Sequence, residues 1–251
     1  GMESILRDEF QSHPSLNQRF KLVRVSPACV ALSAKAAFTL RELYQLRTLG
    51  SINLVLGTVA PGESNQAAAM AQIIASKQTQ QLCGKLTQGQ PRYRLDLIRQ
   101  KLPGSTVQSV VNQAFALCPD LLNDARQAPW AIEVYTEKVG LSIELRPRVS
   151  PDPRFQYRVD DVPASTHPPL AAAMAQMAGV EVDEVMWDPF CGSGLELIER
   201  LQIGRVAQIF ASDLDERATE IVRANFAAVG QSDASLAIQC CDFRHYKKHT
   251  Q

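Results

Sequence analysis

Near the end of this 251-residue chain runs Asp188-Pro189-Phe190-Cys191-Gly192-Ser193-Gly194. It follows the apolar stretch Val185-Met186-Trp187 and opens onto Leu195-Glu196-Leu197-Ile198-Glu199-Arg200-Leu201, whose apolar spacing is helical. A strand, a glycine turn and a helix in that order make a binding loop whose backbone amides point at a ligand. The two glycines let the main chain approach that ligand where a side chain would block it. This requires an open α/β sheet with the loop at its carboxyl edge.

The ligand is not a dinucleotide. That fingerprint needs a third Gly or Ala three positions after the second glycine, and Leu197 stands there. A carboxylate at the strand tip, Asp188, would repel a pyrophosphate but suits a ligand carrying an ammonium and a sulfonium. S-adenosylmethionine has both charges and no phosphate. Gln208-Ile209-Phe210-Ala211-Ser212 reads as the next strand and ends in Asp213, 19 positions after Gly194. At about that offset an acid takes ribose hydroxyls in such sheets. The plainer reading has Asp188 capping the next helix and Asp213 opening a turn. A third strand is expected at 235–239, with Asp242 beyond its tip either hydrogen-bonding an adenine amine or solvated in a loop. Residues 216–229 read as a helix with Ile221, Val222 and Phe226 on one stripe, Asp215 as N-cap and Gly230 as stop.

No apolar run approaches the ~20 residues of a membrane span, so no membrane partner is expected. The six cysteines (29, 83, 118, 191, 240 and 241) form no C-x-x-C, and His13, His167, His245 and His249 are scattered. They read as reduced thiols in a cytoplasmic protein, with no metal site. Net charge is zero, but residues 1–150 carry 17 Lys and Arg against 11 Asp and Glu, while residues 151–251 carry 9 against 15. A front half at +6 joined to a back half at −6 makes nucleic acid a partner for the front. Its local cluster is Arg92, Arg94, Arg99 and Lys101, with Tyr93 as a stacking face; solvated surface charge explains the cluster about as well.

The front half reads as strands at 20–25, 29–32 and 52–56, a helix at 34–47, and a helix at 63–83 broken near Lys77. Then come a strand at 93–98, a helix at 107–118 with Ser105 and Gln108 as a capping box, and strands at 131–135 and 141–145. Pro147, Pro151, Pro153, Pro163, Pro168 and Pro169 mark a linker where the charge changes sign, and 168–177 reads as a helix.

Taken together, Pro163-Ala164-Ser165-Thr166-His167-Pro168-Pro169, the 188–194 loop and Ser212-Asp213-Leu214-Asp215 resemble the THUMP-domain RNA methyltransferases, which modify the exocyclic amine of guanine in tRNA or ribosomal RNA. The resemblance is closest over 163–226, looser over 90–148 and faint before that. It implies α+β and α/β architecture: a ferredoxin-like domain at 1–65, a THUMP-like RNA-binding domain at 66–148, a linker at 149–165, and the first half of a Rossmann-like methyltransferase domain at 166–251. It implies S-adenosylmethionine as cofactor, held by Asp188, Phe190, Gly192, Gly194, Asp213 and Asp242. The segment holding Pro163, Ser165 and His167 would close over the donor's methionine end.

The chain departs from that family at one point. The catalytic Asn/Asp-Pro-Pro-aromatic tetrapeptide expected at the fourth strand does not follow Asp242, and Pro168-Pro169 precedes the loop and follows a histidine. The expectation is therefore a cofactor-binding fragment, inactive alone, whose catalytic residues lie beyond Gln251. Its first strand would become a sheet edge, open to pairing with another molecule. Two alternatives stay open: an RNA-binding module with a structural cofactor fold, and a methyltransferase acting on adenine in DNA.

Overall fold

The computed structural model describes residues 1–85, 87–98, 104–137, 140–148, 152–230 and 235–246. The chain begins with helices α1 (Glu3–Ser12) and α2 (Leu16–Arg19), an antiparallel hairpin of β1 (Phe20–Ser26) and β2 (Cys29–Ala34), and the one-turn helix α3 (Leu40–Leu43). The long helix expected at 34–47 is thus a single turn. Thr39 and Glu42 form a capping box at its start, and the chain then bends through 46–49. The Glu9 carboxylate holds that bend, accepting from the Arg47 and Thr48 amides at 2.7 and 3.1 Å and from the Thr48 hydroxyl at 2.6 Å.

A second stretch runs β3 (Leu54–Val59), α4 (Gln66–Ile74), α5 (Lys77–Gly84), β4 (Arg92–Ile98), α6 (Gly104–Leu117), β5 (Leu122–Asn123), β6 (Trp130–Glu137) and β7 (Gly140–Pro147). The break expected near Lys77 comes from Ser76, whose extended backbone and side-chain bond to the Thr79 amide start a new helix. α6 begins at Gly104, three residues before the expected start at 107. The five strands form one sheet in the order β3-β7-β6-β4-β5, with β4 parallel to β5 and β6 and the other pairs antiparallel. Period-two alternation puts Tyr93, Ile132, Val134, Ile143 and Leu145 in the core with Met70 and Ile74 of α4 and Val110 and Ala114 of α6. On the other face Glu133 and Glu144 lie directly opposite each other. Asn53 donates to both, at 3.1 and 2.9 Å, and Arg146 pairs with Glu133 at 2.7 Å, offsetting the like-charge contact.

The chain then forms α7 (Pro168–Ala178), β8 (Glu184–Asp188), α8 (Leu195–Ile203), β9 (Val206–Asp213), α9 (Glu216–Val229) and β10 (Ser235–Cys240). Among the described residues the three strands make a parallel sheet in the order β10-β9-β8. β8 is an edge, with Val185 and Trp187 exposed on one face. The core beneath is Leu195, Ile198, Ile209, Ala211, Val222 and Phe226.

Two compact units result: Ser51–Pro151, and Gly1–Gly50 together with Asp152–Gln251. This differs from boundaries at 65 and 166. The first fifty residues join the last hundred through Arg154, whose side chain is only 2% exposed. It donates to the carbonyls of Leu46 and Leu49, both at 2.8 Å, and pairs with Asp152 at 2.6 Å. Arg47 reaches the fully buried Glu199 of α8 at 2.6 Å, and Tyr157 donates its hydroxyl to the same carboxylate. The segment expected as a linker at 149–165 is, from 152 onward, a strap tied down by buried polar contacts.

Candidate functional site

The site lies at the carboxyl ends of β8 and β9. At the β8 tip, Asp188 accepts from the Phe190 amide at 3.0 Å, closing a turn, so it does not cap α8. Gly194 starts that helix in the left-handed region, with φ of +77°. Burial, and next the Glu196 and Asp213 carboxylates, raise the Asp188 carboxyl above its ordinary value, against the opposing bond from Phe190. A carboxylate so placed is relieved by a cation and worsened by a phosphate.

The two glycines do different work. Gly192 has φ of +49°, and an added Cβ would meet only Val162 of the strap, at an ordinary 3.6 Å. Its conformation needs glycine, and its Cα is open for close approach. At Gly194 an added Cβ would press on Val222 at 3.1 Å and Phe226 at 3.3 Å of α9. Glycine at 194 therefore allows tight packing of the loop on that helix.

Asp213, at the β9 tip, is fastened to the loop. Its Oδ2 accepts from the Gly192 amide and its Oδ1 from the Asp215 amide, both at 3.0 Å. The Cys191 amide donates to the Ser212 carbonyl at 3.0 Å. Two of the loop amides are thus spent on β9 instead of pointing at a ligand. A carboxylate has about four lone-pair sites, so Asp213 keeps capacity for a pair of hydroxyls. Asp215 caps α9 as read from the sequence, accepting from Arg217 at 2.9 Å.

The strap packs against the loop. Ser165 and Ser193 share a hydroxyl–hydroxyl hydrogen bond of 2.8 Å. Ala164, between Pro163 and Ser165, holds φ of +61°, a strained value for alanine. Pro163 and His167 are exposed, and His167 precedes α7 without a side-chain cap. Asn225 of α9 ties strap and loop together. It lies on the stripe of Ile221, Val222 and Phe226, and a polar residue on an apolar stripe was the signal that could have found it.

Asp242 lies beyond β10, where it caps a short turn through the Arg244 amide and pairs with the Arg244 guanidinium. That bond holds its carboxyl well below the usual range. Phe190 and Phe243, both exposed, meet edge-on at 5.1 Å, and Leu214 beside Asp213 is 73% exposed. These apolar groups give the rim between the β9 and β10 tips a surface suited to an aromatic base.

The proposed RNA-contacting cluster lies in the other unit. Tyr93 is buried, with its hydroxyl pushed up to about 12 by burial, so it offers no stacking face. Arg92 pairs with Asp124 at 2.9 Å and Arg94 with Asp96 at 2.6 Å. Arg99 and Lys101 lie outside the described residues. Among the described residues no His/Cys/Asp/Glu group is arranged to hold a metal ion, and no helix is long and apolar enough to cross a membrane.

Over residues 155–250 the chain matches the protein family described as UPF0020, RMKL-like, methyltransferase domain. It is similar to the tRNA (guanine(10)-N2)-dimethyltransferase of Methanothermobacter thermautotrophicus, at 37% identity over 71 residues. That match covers 28% of this chain and 20% of the relative, so the chain spans about a fifth of the curated protein it matches. Among solved structures, TrmN from Thermus thermophilus shares the fold with a TM-score of 0.67 at 17% identity, covering 95% of this chain and 70% of that one. SMU.472, solved with S-adenosylhomocysteine, gives 0.65 at 16% identity, covering 100% of this chain and 75% of that one. The match begins at 155, so it takes in the strap that the sequence assigned to a linker. A methyltransferase domain implies S-adenosylmethionine as its cofactor, and the two carboxylates with the open Gly192 fit it.

Proposed function

We propose that this chain holds the donor-binding part of an RNA methyltransferase that transfers a methyl group from S-adenosylmethionine to the exocyclic amine of guanine in tRNA or ribosomal RNA. The observation that carries this reading is the bond from the Gly192 amide to Asp213, which assembles loop and acid into one site. It lies inside the stretch that matches the methyltransferase family. The guanine and RNA assignments rest on the tRNA-directed relative and on the resemblance of 163–226 to RNA-directed enzymes.

When bound, the cofactor supplies an electrophilic methyl on a sulfonium. Asp188 would face the cationic methionine end, Asp213 the ribose, and the Phe190, Leu214 and Phe243 rim the adenine. Asp242, committed to Arg244, would reach the adenine amine through whatever acceptor capacity that pairing leaves. The strap with Ser165 and His167 would cover the methionine end and limit water. The 66–148 stretch, within Ser51–Pro151, is read as THUMP-like and RNA-directed. Transfer also requires a group that holds the guanine amine within about 3–3.5 Å of the methyl carbon. The 251 residues contain no Asn/Asp-Pro-Pro-aromatic tetrapeptide, so we expect donor binding without transfer.

Calorimetric titration with S-adenosylhomocysteine tests the site. Wild type should bind, and Asp213→Ala should weaken binding by ~1.5–3 kcal/mol, the scale of a lost hydrogen bond to a charged group plus a loosened loop. Equal affinities would refute the role of Asp213. Tritiated methyl incorporation into unmodified tRNA and ribosomal RNA tests transfer, and incorporation by this chain would refute the assignment of catalysis to a motif it lacks.

A further inference from the structure

We infer that Asn225 is a positioning residue that locks the 157–165 strap onto the glycine loop and so sets the geometry of the donor site; the inference rests on the donor-binding reading above. Asn225 is fully buried inside α9. An asparagine there is disfavoured by helix propensity and by the cost of burying an amide, so its retention needs partners. It has four. Its Oδ1 accepts from the Val159 and Asp160 amides at 3.0 and 3.3 Å. Its Nδ2 donates to the Asp160 carbonyl at 3.1 Å and to the Ser193 carbonyl at 3.0 Å. The primary amide offers two acceptor sites and two donors, and all four are used.

The division of those bonds is what makes Asn225 a clamp. Three go to the strap and one to the loop residue between Gly192 and Gly194, so one rigid side chain fixes the separation of the two segments. Two further contacts lie on the same line: the Ser165–Ser193 hydroxyl pair, and Val162 beside Gly192. At its other end the strap is held by Tyr157 on Glu199 and by Arg154 on the 46–49 bend. The strap is thus anchored at both ends, and Ala164 beside Ser165 holds a left-handed backbone. Asn225 acts on the loop through the Ser193 carbonyl.

The test separates the two halves of the amide in the full chain. Asn225→Ala removes all four bonds. Asn225→Asp keeps the acceptor facing Val159 and Asp160 but sets an oxygen against the Asp160 and Ser193 carbonyls. Ile221→Val, in the core of the same helix, serves as a control for general destabilisation. Hydrogen exchange should quicken at Val159 and Asp160 in Asn225→Ala while β9 amides keep wild-type protection. Affinity for S-adenosylhomocysteine should fall about tenfold in both Asn225 variants and stay unchanged in Ile221→Val. Where Asn225→Ala does not fold, Asn225→Asp alone decides, since its strap amides keep their acceptor while the loop tie is lost. Unchanged affinity in the Asn225 variants, or exchange that rises across β9 as much as in the strap, overturns the inference. A wild type that binds no S-adenosylhomocysteine refutes the donor reading instead, and the exchange at 159 and 160 then decides the clamp by itself.

Discussion

Replacing each loop glycine by alanine should separate a packing role from a ligand role two residues apart. At Gly194 the new methyl meets Val222 at 3.1 Å and Phe226 at 3.3 Å, and the residue must hold φ of +77°. The left-handed backbone costs about 1–2 kcal/mol for alanine and the overpacked contact about 1–3 more, so Gly194→Ala should lose about 2–5 kcal/mol of stability. At Gly192 the methyl has only an ordinary contact with Val162 at 3.6 Å, with φ of +49°. There the cost should be the backbone term alone, about 1–2 kcal/mol. Binding should follow the opposite order, because in the proposed donor site the Gly192 methyl would stand in the donor's path, while the Gly194 methyl points into α9. Exchange of β9 core amides, which open only with the surrounding core, gives the stability of this unit without assuming that both units unfold together. Titration with S-adenosylhomocysteine gives the affinity of each folded variant. If Gly192→Ala proves the less stable of the two, or if both variants lose the same affinity, the division of labour is wrong.

Asp188→Asn should stabilise the protein at neutral pH while weakening donor binding. The folded state raises the Asp188 carboxyl above its ordinary 3.8, chiefly by burial and then by Glu196 and Asp213. The unfolded chain therefore releases this proton first, and stability falls as pH climbs from the unfolded value to the raised one, then levels off. Asparagine keeps the acceptor for Phe190 and removes that fall; parallel stability–pH curves for wild type and variant would contradict it. Arg154→Ala should cost about 3–5 kcal/mol, since it leaves the buried Leu46 and Leu49 carbonyls without their donor and takes the guanidinium from Asp152, which keeps only the residue-154 amide. Lysine should not rescue it, because one ammonium cannot span all three, and faster exchange through 40–50 is the readout; a silent Arg154→Ala would mean that the Arg47–Glu199 pair and apolar contacts hold the first fifty residues without it. RNA binding by the chain should fall steeply with salt through counterion release. Arg92→Ala and Arg94→Ala, each already neutralised by an acid, should each change that slope by less than about one in filter binding, and a larger change would restore them as phosphate contacts.

What could be read from the chain was what is local in it. The 188–194 loop, Asp213 and the cap and stripe of α9 depend on residues within a few turns or one strand–helix–strand unit, and their periodicity carries them. The burial of Tyr93 was legible too, from strand alternation. Alternation along β4 puts Arg92 and Arg94 on one face and Tyr93 with Leu95 and Leu97 on the other, so an aromatic between two arginines in a strand is on the core side. The joining of the first fifty residues to the last hundred was not legible, because it rests on partners more than a hundred positions apart, Arg154 with Leu46 and Leu49, and Arg47 with Glu199. In sequence Glu199 reads as one more charge on an amphipathic helix. Only the tertiary placement of Arg47 and Tyr157 makes it a buried anion with two partners. The proline-rich segment misled for a related reason. Prolines limit the backbone whether a segment is loose or tied, and the ties here come from Arg154, Tyr157 and Asn225 rather than from the prolines. A strap fastened at both ends carries the fixed geometry of the helices to Ser193, and with it the placement of the glycine loop.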